Sequence, residues 1–143
     1  MRKLFFALFL LSTTLTMKAQ TQLKGPLDAK TYTIAITKEG KKKPWEQDEL
    51  KFNLGKFKSK FFTEWGYTKA TKYEATATDS TATPPQNYTF TVETTNDEKE
   101  VMTWEGTITG EDIDGTAEIV NAKGEKKYSF TFEGKLKGKP GKK

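Results

Sequence analysis

The chain has 143 residues, of which 24 are Lys or Arg and 19 are Asp or Glu, for a formal net charge of +5, and it contains neither cysteine nor histidine. Those two absences exclude disulfide stapling, zinc centres built from imidazole and thiolate, and Ser-His-Asp or Cys-His nucleophilic catalysis. The length suits one domain behind a short leader.

Residues 1–19 read as that leader. Arg2 and Lys3 form a positive start, and Leu4 to Leu11 form an apolar run of eight residues. A polar stretch follows, Ser12 to Thr16, and then Met17-Lys18-Ala19. This order predicts a secretory signal peptide cleaved between Ala19 and Gln20, because the apolar run is far shorter than the ~20 residues of a spanning helix. Export to the periplasm or the exterior is therefore expected. Without a cysteine to carry lipid, no stable membrane anchor is expected after cleavage. Removing Arg2, Lys3 and Lys18 leaves 124 residues with 21 basic against 19 acidic side chains, a net charge of +2. Residues 137–143, which read as a flexible basic tail, hold four of those 21, so the body between leader and tail is slightly acidic. Arg2 is the sole arginine. Nucleic acid is not expected as a partner of such a chain.

Residues 20–136 read as one all-β domain. After a polar lead-in, apolar residues alternate with polar ones in eight segments, the period of a strand with one buried face. Tyr32, Ile34 and Ile36 share the first face, Leu50, Phe52 and Leu54 the second, and Phe57, Ser59 and Phe61 the third, opposite Lys56, Lys58 and Lys60. Tyr73, Ala75 and Ala77 follow, then Tyr88, Phe90 and Val92. Met102, Trp104, Gly106 and Ile108 make the sixth face, Ile113, Gly115, Ala117 and Ile119 the seventh, and Tyr128, Phe130 and Phe132 the eighth. Short turns such as 53–56, 109–112 and 123–124 link them, which predicts an antiparallel up-and-down meander. Closure into an eight-stranded barrel removes the open edges of such a sheet, with a two-sheet sandwich as the alternative. In that topology the loops Lys38–Asp48 and Glu64–Ala70 lie at the same end, and they carry Trp45, Trp65 and Tyr67.

An export signal, eight meandering strands and a long first loop over one end resemble the lipocalin-like, calycin-type group of small binding barrels. The run Trp104-Glu105-Gly106-Thr107-Ile108-Thr109-Gly110 to Thr116 is also similar to a hairpin of small secreted bacterial domains. The likeness spans Thr31 to Leu136. Where a true lipocalin carries Gly-x-Trp, this chain has Leu27-Asp28-Ala29-Lys30-Thr31-Tyr32, so the resemblance implies a fold and a binding role without naming a ligand.

Little in the chain points to catalysis. A Ser-Lys pair drawn from Ser59, Ser80 or Ser129 lacks a signature, and Glu64, Glu93, Glu105 and Glu118, the carboxylates that glycoside hydrolysis would need, alternate with apolar residues as solvent-facing side chains do. Asp112 and Asp114 resemble the start of a calcium loop, but the twelve-residue ligand pattern is missing. No catalytic residue, metal or cofactor is therefore expected. Asp79-Ser80-Thr81 resembles a bacterial O-glycosylation acceptor and equally suits a polar turn. Lys41 to Lys43 and the row Lys56, Lys58, Lys60 read mainly as solvated surface, with anionic polymers or surfaces as the minor reading.

Binding remains. Tyr32, Phe57, Tyr73, Tyr88, Trp104 and Phe130 point to the expected interior beside the small residues Ser59, Ala75, Ala77, Gly106, Gly115 and Ala117. An eight-stranded barrel either fills with side chains or holds one small ligand. The expectation is a non-enzymatic exported barrel that binds a small apolar or amphipathic molecule entering past Trp45, Trp65 and Tyr67. The alternative is a closed barrel whose exterior contacts an envelope or extracellular protein or glycan.

Overall fold

The computed structural model describes residues 25–138. The leader, its cleavage pair Ala19–Gln20 and the end of the basic tail lie outside them. Eight strands run in chain order: β1 Lys30–Lys38, β2 Glu46–Asn53, β3 Lys56–Ser59, β4 Thr71–Ala77, β5 Asn87–Thr95, β6 Val101–Thr109, β7 Asp112–Val120 and β8 Lys126–Leu136. Each pairs antiparallel with its neighbour, and β8 returns to β1, so the sheet closes into an up-and-down barrel. All eight expected segments are strands, and the barrel rather than the sandwich is the architecture.

Alternation does what the sequence demands. Along β5 the buried residues are Tyr88, Phe90, Val92 and Thr94, and along β2 they are Asp48, Leu50 and Phe52. The outward residues are Thr, Glu, Asp and Lys in nearly every strand, the reverse of a lipid-facing barrel. Two glycines on adjacent strands face each other in register, Gly106 of β6 and Gly115 of β7. A Cβ on Gly106 would run into the Phe90 ring, and one on Gly115 into the Glu105 carbonyl and the Phe132 ring. The small residues on these faces thus seat the large rings opposite them.

Two details differ from the expected pattern. Phe61 was expected on the third strand, but β3 ends at Ser59 and Phe61–Trp65 form a 3-10 turn across one mouth of the barrel. The chain leaves the sheet there because the buried Asp48 carboxylate accepts the Phe61 backbone N–H (2.7 Å), and the Ser59 hydroxyl accepts that of Phe62 (3.0 Å). Leu54, expected on the inward face of the second strand, lies instead in the turn beyond the end of β2 at Asn53 and is exposed, while the last strand runs through Gly134 to Leu136. Gly134 pairs with Ile34 on one side and Ile113 on the other, and a Cβ there would meet the Thr33 carbonyl. Glycine permits the close approach that shuts the barrel.

The opposite end is plugged by the chain before β1. Leu27 is fully buried, and its N–H donates to the Tyr73 hydroxyl (2.8 Å), which donates in turn to Asp28 (3.0 Å). Asp28 also accepts the backbone N–H of Gly25 (3.0 Å) and of Gly55 (2.9 Å), tying the β2–β3 turn to the plug.

Candidate functional site

The nine aromatic residues expected to bind a ligand fall into two groups. Tyr32, Phe57, Tyr73, Tyr88, Trp104 and Phe130 are buried inside the barrel, and Trp45, Trp65 and Tyr67 gather at the mouth crossed by the 3-10 turn. The rings form one continuous stack of contacts from end to end. Phe52 touches Tyr32, Phe57, Tyr73 and Phe90 at centroid distances of 4.9–5.9 Å. Phe57 meets Trp104 at 5.2 Å, and Trp104 meets Phe62 at 5.8 Å and Phe132 at 5.4 Å. Phe130 then lies flat against Trp45 at 5.5 Å, and Trp45 meets Trp65 at 5.8 Å.

The mouth is therefore closed. Phe61 and Phe62, which alternation alone had not marked as lid residues, complete the seal with Trp45, Trp65 and Tyr128. Lys38 lies 4.2 Å from the centre of the Trp45 ring, a cation–π contact that holds the indole in place. Both ends of the lid are tied down. At its start, Asp48 accepts from Phe61 N and Glu49 N and from the Ser59 hydroxyl. At its end, the Asn96 amide donates to the Trp65 carbonyl (3.2 Å) and to Glu100 (3.1 Å). The sequence clue to Asp48 was available: it stands two positions before Leu50, on the inward side of β2.

Below the lid lies a small void of about 10 Å³, lined by Phe57, Ser59, Phe62, Tyr67, Thr94 and Trp104 among others. That is room for a single water, against the 300–1,000 Å³ of ordinary small-molecule sites. Among the described residues, the hydroxyls of Tyr67 and Tyr32 and the indole N–H of Trp104 have no hydrogen-bond partner, and Tyr67 and Trp104 both line this void. Burial pushes the Tyr32 and Tyr67 hydroxyls up to about 12, with Tyr88 adding to the first and the charges of Glu100 and Glu98 to the second. Burial also raises Tyr73. All three phenols stay protonated at neutral pH. Asp48 is raised too, since burial outweighs the hydrogen bonds from Ser59 and the backbone that favour its charged form.

Outside, the carboxylates weighed for catalysis, Glu64, Glu93, Glu105 and Glu118, are all exposed. Asp112 and Asp114 lie on the outer face of β7, with Asp112 paired to Lys135 at 2.6 Å. The outer face of β2, β3 and β4 is different in kind. Lys51 of β2 stands directly opposite Lys58 of β3, and Lys56 of β3 directly opposite Lys72 of β4. These four residues line a groove of about 770 Å³ together with Leu54, Ala70 and the nearly buried Phe57 and Tyr73. No acidic residue lines it. Leu54, at the turn between β2 and β3, is 47% exposed, the most exposed large apolar side chain among the described residues. The strand row at Lys56 and Lys58 was legible in the sequence; the facing lysines on β2 and β4 needed the register.

Comparison with protein-family models, with curated proteins and with solved structures finds no match to this chain. The class of the molecule therefore rests on its own geometry: a closed eight-stranded antiparallel barrel, all-β and free of cysteine.

Proposed function

We propose that this protein is an exported, non-enzymatic, lipocalin-like barrel that acts as an interaction module through its outer surface, in the envelope or outside the cell. One observation carries the reading: the interior is packed with aromatic rings around a void of about 10 Å³, while the exterior offers a groove of about 770 Å³. A site needs space before it needs chemistry. The chain's chemistry agrees, because without histidine or cysteine it has no ready general base near neutral pH and no soft nucleophile. Export is supported by the order of charged, apolar and small residues in 1–19.

The interior small-molecule reading draws on a separate observation. Tyr67 and Trp104 line the same void, and among the described residues the Tyr67 hydroxyl and the Trp104 indole N–H are buried without partners, as donors reserved for a ligand would be. It would require the Phe61–Trp65 lid to leave its ties to Asp48 and Asn96.

Native mass spectrometry of the protein purified from its own envelope tests the choice. The expected result is the bare mass, with tryptophan fluorescence indifferent to a panel of fatty acids and tetrapyrroles. A stoichiometric co-purifying small molecule would replace the exterior reading with the interior one.

A further inference from the structure

From the outer face of β2, β3 and β4 we infer a binding site for an acidic polysaccharide, a sugar chain bearing repeated carboxylate or sulfate groups; this inference rests on the exterior reading above and gives it a partner. Lysines are common on exposed strands and usually need no explanation. Here their arrangement does. Directly opposed like charges on neighbouring strands are destabilising, and this face has two such pairs, Lys51–Lys58 and Lys56–Lys72, sharing β3. Among the described residues no acidic side chain lies within salt-bridge distance of any of the four. The nearest acid on the same face of β2, Glu49, is engaged by Lys137 at 2.8 Å and also feels Lys60 and Lys51.

On β8, by contrast, lysines are neutralised. Lys126 meets Glu118 at 3.5 Å, Lys127 bonds Glu100, and Lys135 bonds Asp112 at 2.6 Å. On β7 and β8 the cross-strand lysines thus meet acids, and the one directly opposed like-charge pair there is acidic, Asp114–Glu133, whereas on β2, β3 and β4 lysine faces lysine twice over. A ligand that brings the missing anions removes that repulsion on binding.

The geometry selects among anions. Strand spacing sets the lysine Cα atoms about 5 Å apart across the sheet and about 7 Å apart along β3. One carboxylate cannot neutralise such a grid, whereas a chain with successive charges can. The four lysines surround a recess, so a flat bilayer would meet the rim and leave the floor empty. Within the recess the backbones of β2, β3 and β4 are already paired with each other at Lys51–Lys58, Asn53–Lys56 and Lys56–Lys72. An acidic peptide therefore finds at most the two residues Lys58 and Ser59, unpaired on the β4 side of β3, too short an edge for an added strand. Nucleobases find no platform either, because Phe57 and Tyr73 are only 2% and 5% exposed. Sugar rings need what the lining has: lysine methylene stems, Leu54 and Ala70 to meet their C–H surfaces.

Calorimetric titration of the purified protein with a galacturonate hexamer, repeated with a neutral glucose hexamer, polyglutamate and anionic phospholipid vesicles, tests the site. The expected result is saturable binding of the galacturonate hexamer that weakens as salt shortens the screening length from ~10 Å at 0.1 M to ~3 Å at 1 M. The double variant Lys56→Glu/Lys72→Glu should bind about tenfold more weakly or worse. The double variant Lys126→Glu/Lys135→Glu carries the same charge change on the other side and should bind like wild type. The milder Lys56→Gln/Lys72→Gln should lose affinity while unfolding no earlier than wild type, which separates lost binding from lost structure. Equal loss in both charge-reversed variants, or no saturable binding of the hexamer, overturns the proposal. So does tighter binding of polyglutamate or vesicles. Binding of the neutral hexamer alone would sink the acidic-glycan site and leave the exterior reading standing; a co-purifying interior ligand would remove that reading itself.

Discussion

The two halves of this barrel are built to different standards. From β5 to β8 the strands are nine to eleven residues long and pair along nearly their whole length, and cross-strand lysines there meet acids. From β2 to β4 the pairing shrinks. β3 has four residues, and only Lys56 and Phe57 are in register with β4. Lysines meet lysines across the same seams. The long half supplies stability through continuous ladders and seated rings. The short half gives up both hydrogen bonds and charge pairing, and that concession is what exposes a groove.

The comparison can be broken most severely in the core both halves share. Trp104 is 1% exposed and touches Phe57, Phe62 and Phe132, so Trp104→Ala should cost about 4 kcal/mol, read as a lower urea midpoint at unchanged slope. A loss well under 1 kcal/mol would mean the interior is loosely filled. Next comes the lid anchor. Asp48→Ala leaves the N–H groups of Glu49 and Phe61 and the Ser59 hydroxyl without their acceptor, and should cost about 2–3 kcal/mol with a shift in Trp45 and Trp65 emission.

The same residue predicts a smaller effect through pH. Burial raises Asp48 above its ordinary 3.8, so the folded chain holds that proton more tightly than the unfolded one. Ionising Asp48 therefore costs stability, a cost that sets in as pH rises through the raised value and is relieved below it. Wild type should gain on Asp48→Asn as pH falls from about 7 to about 4, measured as the difference between their thermal midpoints. A constant difference would contradict the assignment. Glu100, held down by Lys127 and then by Asn96, behaves in the opposite sense: its contribution is present above the ordinary carboxylate range and fades as pH falls.

The smallest predicted effect separates the two halves most cleanly. Lys72→Gln removes one member of a like-charge pair and should raise stability by about 0.5 kcal/mol at low salt, an advantage that vanishes at high salt. Lys135→Gln removes a paired lysine and should lower the thermal midpoint or leave it unchanged.

Much of this fold was legible because it depends on a period of two. Tyr32, Ile34 and Ile36, or Tyr88, Phe90 and Val92, can lie on one face only in a strand, and eight such runs with short turns leave few topologies. The lid was not legible from that rule. Phe61 and Phe62 are adjacent and both apolar, so alternation could place only one of them; the hydrogen bonds of Asp48 and Ser59 that turn the chain are long-range or local polar contacts, invisible to hydropathy. The filled interior was ambiguous for a similar reason. Gly106 and Gly115 could have lined a cavity, and only the register that faces them to each other, with the Phe90 and Phe132 rings seated over them, decides that they do not. Likewise the row of Lys56 and Lys58 was plain in the sequence, but its opposition to Lys51 and Lys72 belongs to the pairing.

The central claim is that this barrel binds with its outside. An amide and indole chemical-shift map, recorded while the galacturonate hexamer is titrated in, tests it most directly. The account predicts shifts at Lys51, Gly55, Lys56, Lys58 and Lys72, with the indole signals of Trp45, Trp65 and Trp104 unmoved. Movement of those three indoles, with the lysine face unchanged, would contradict it.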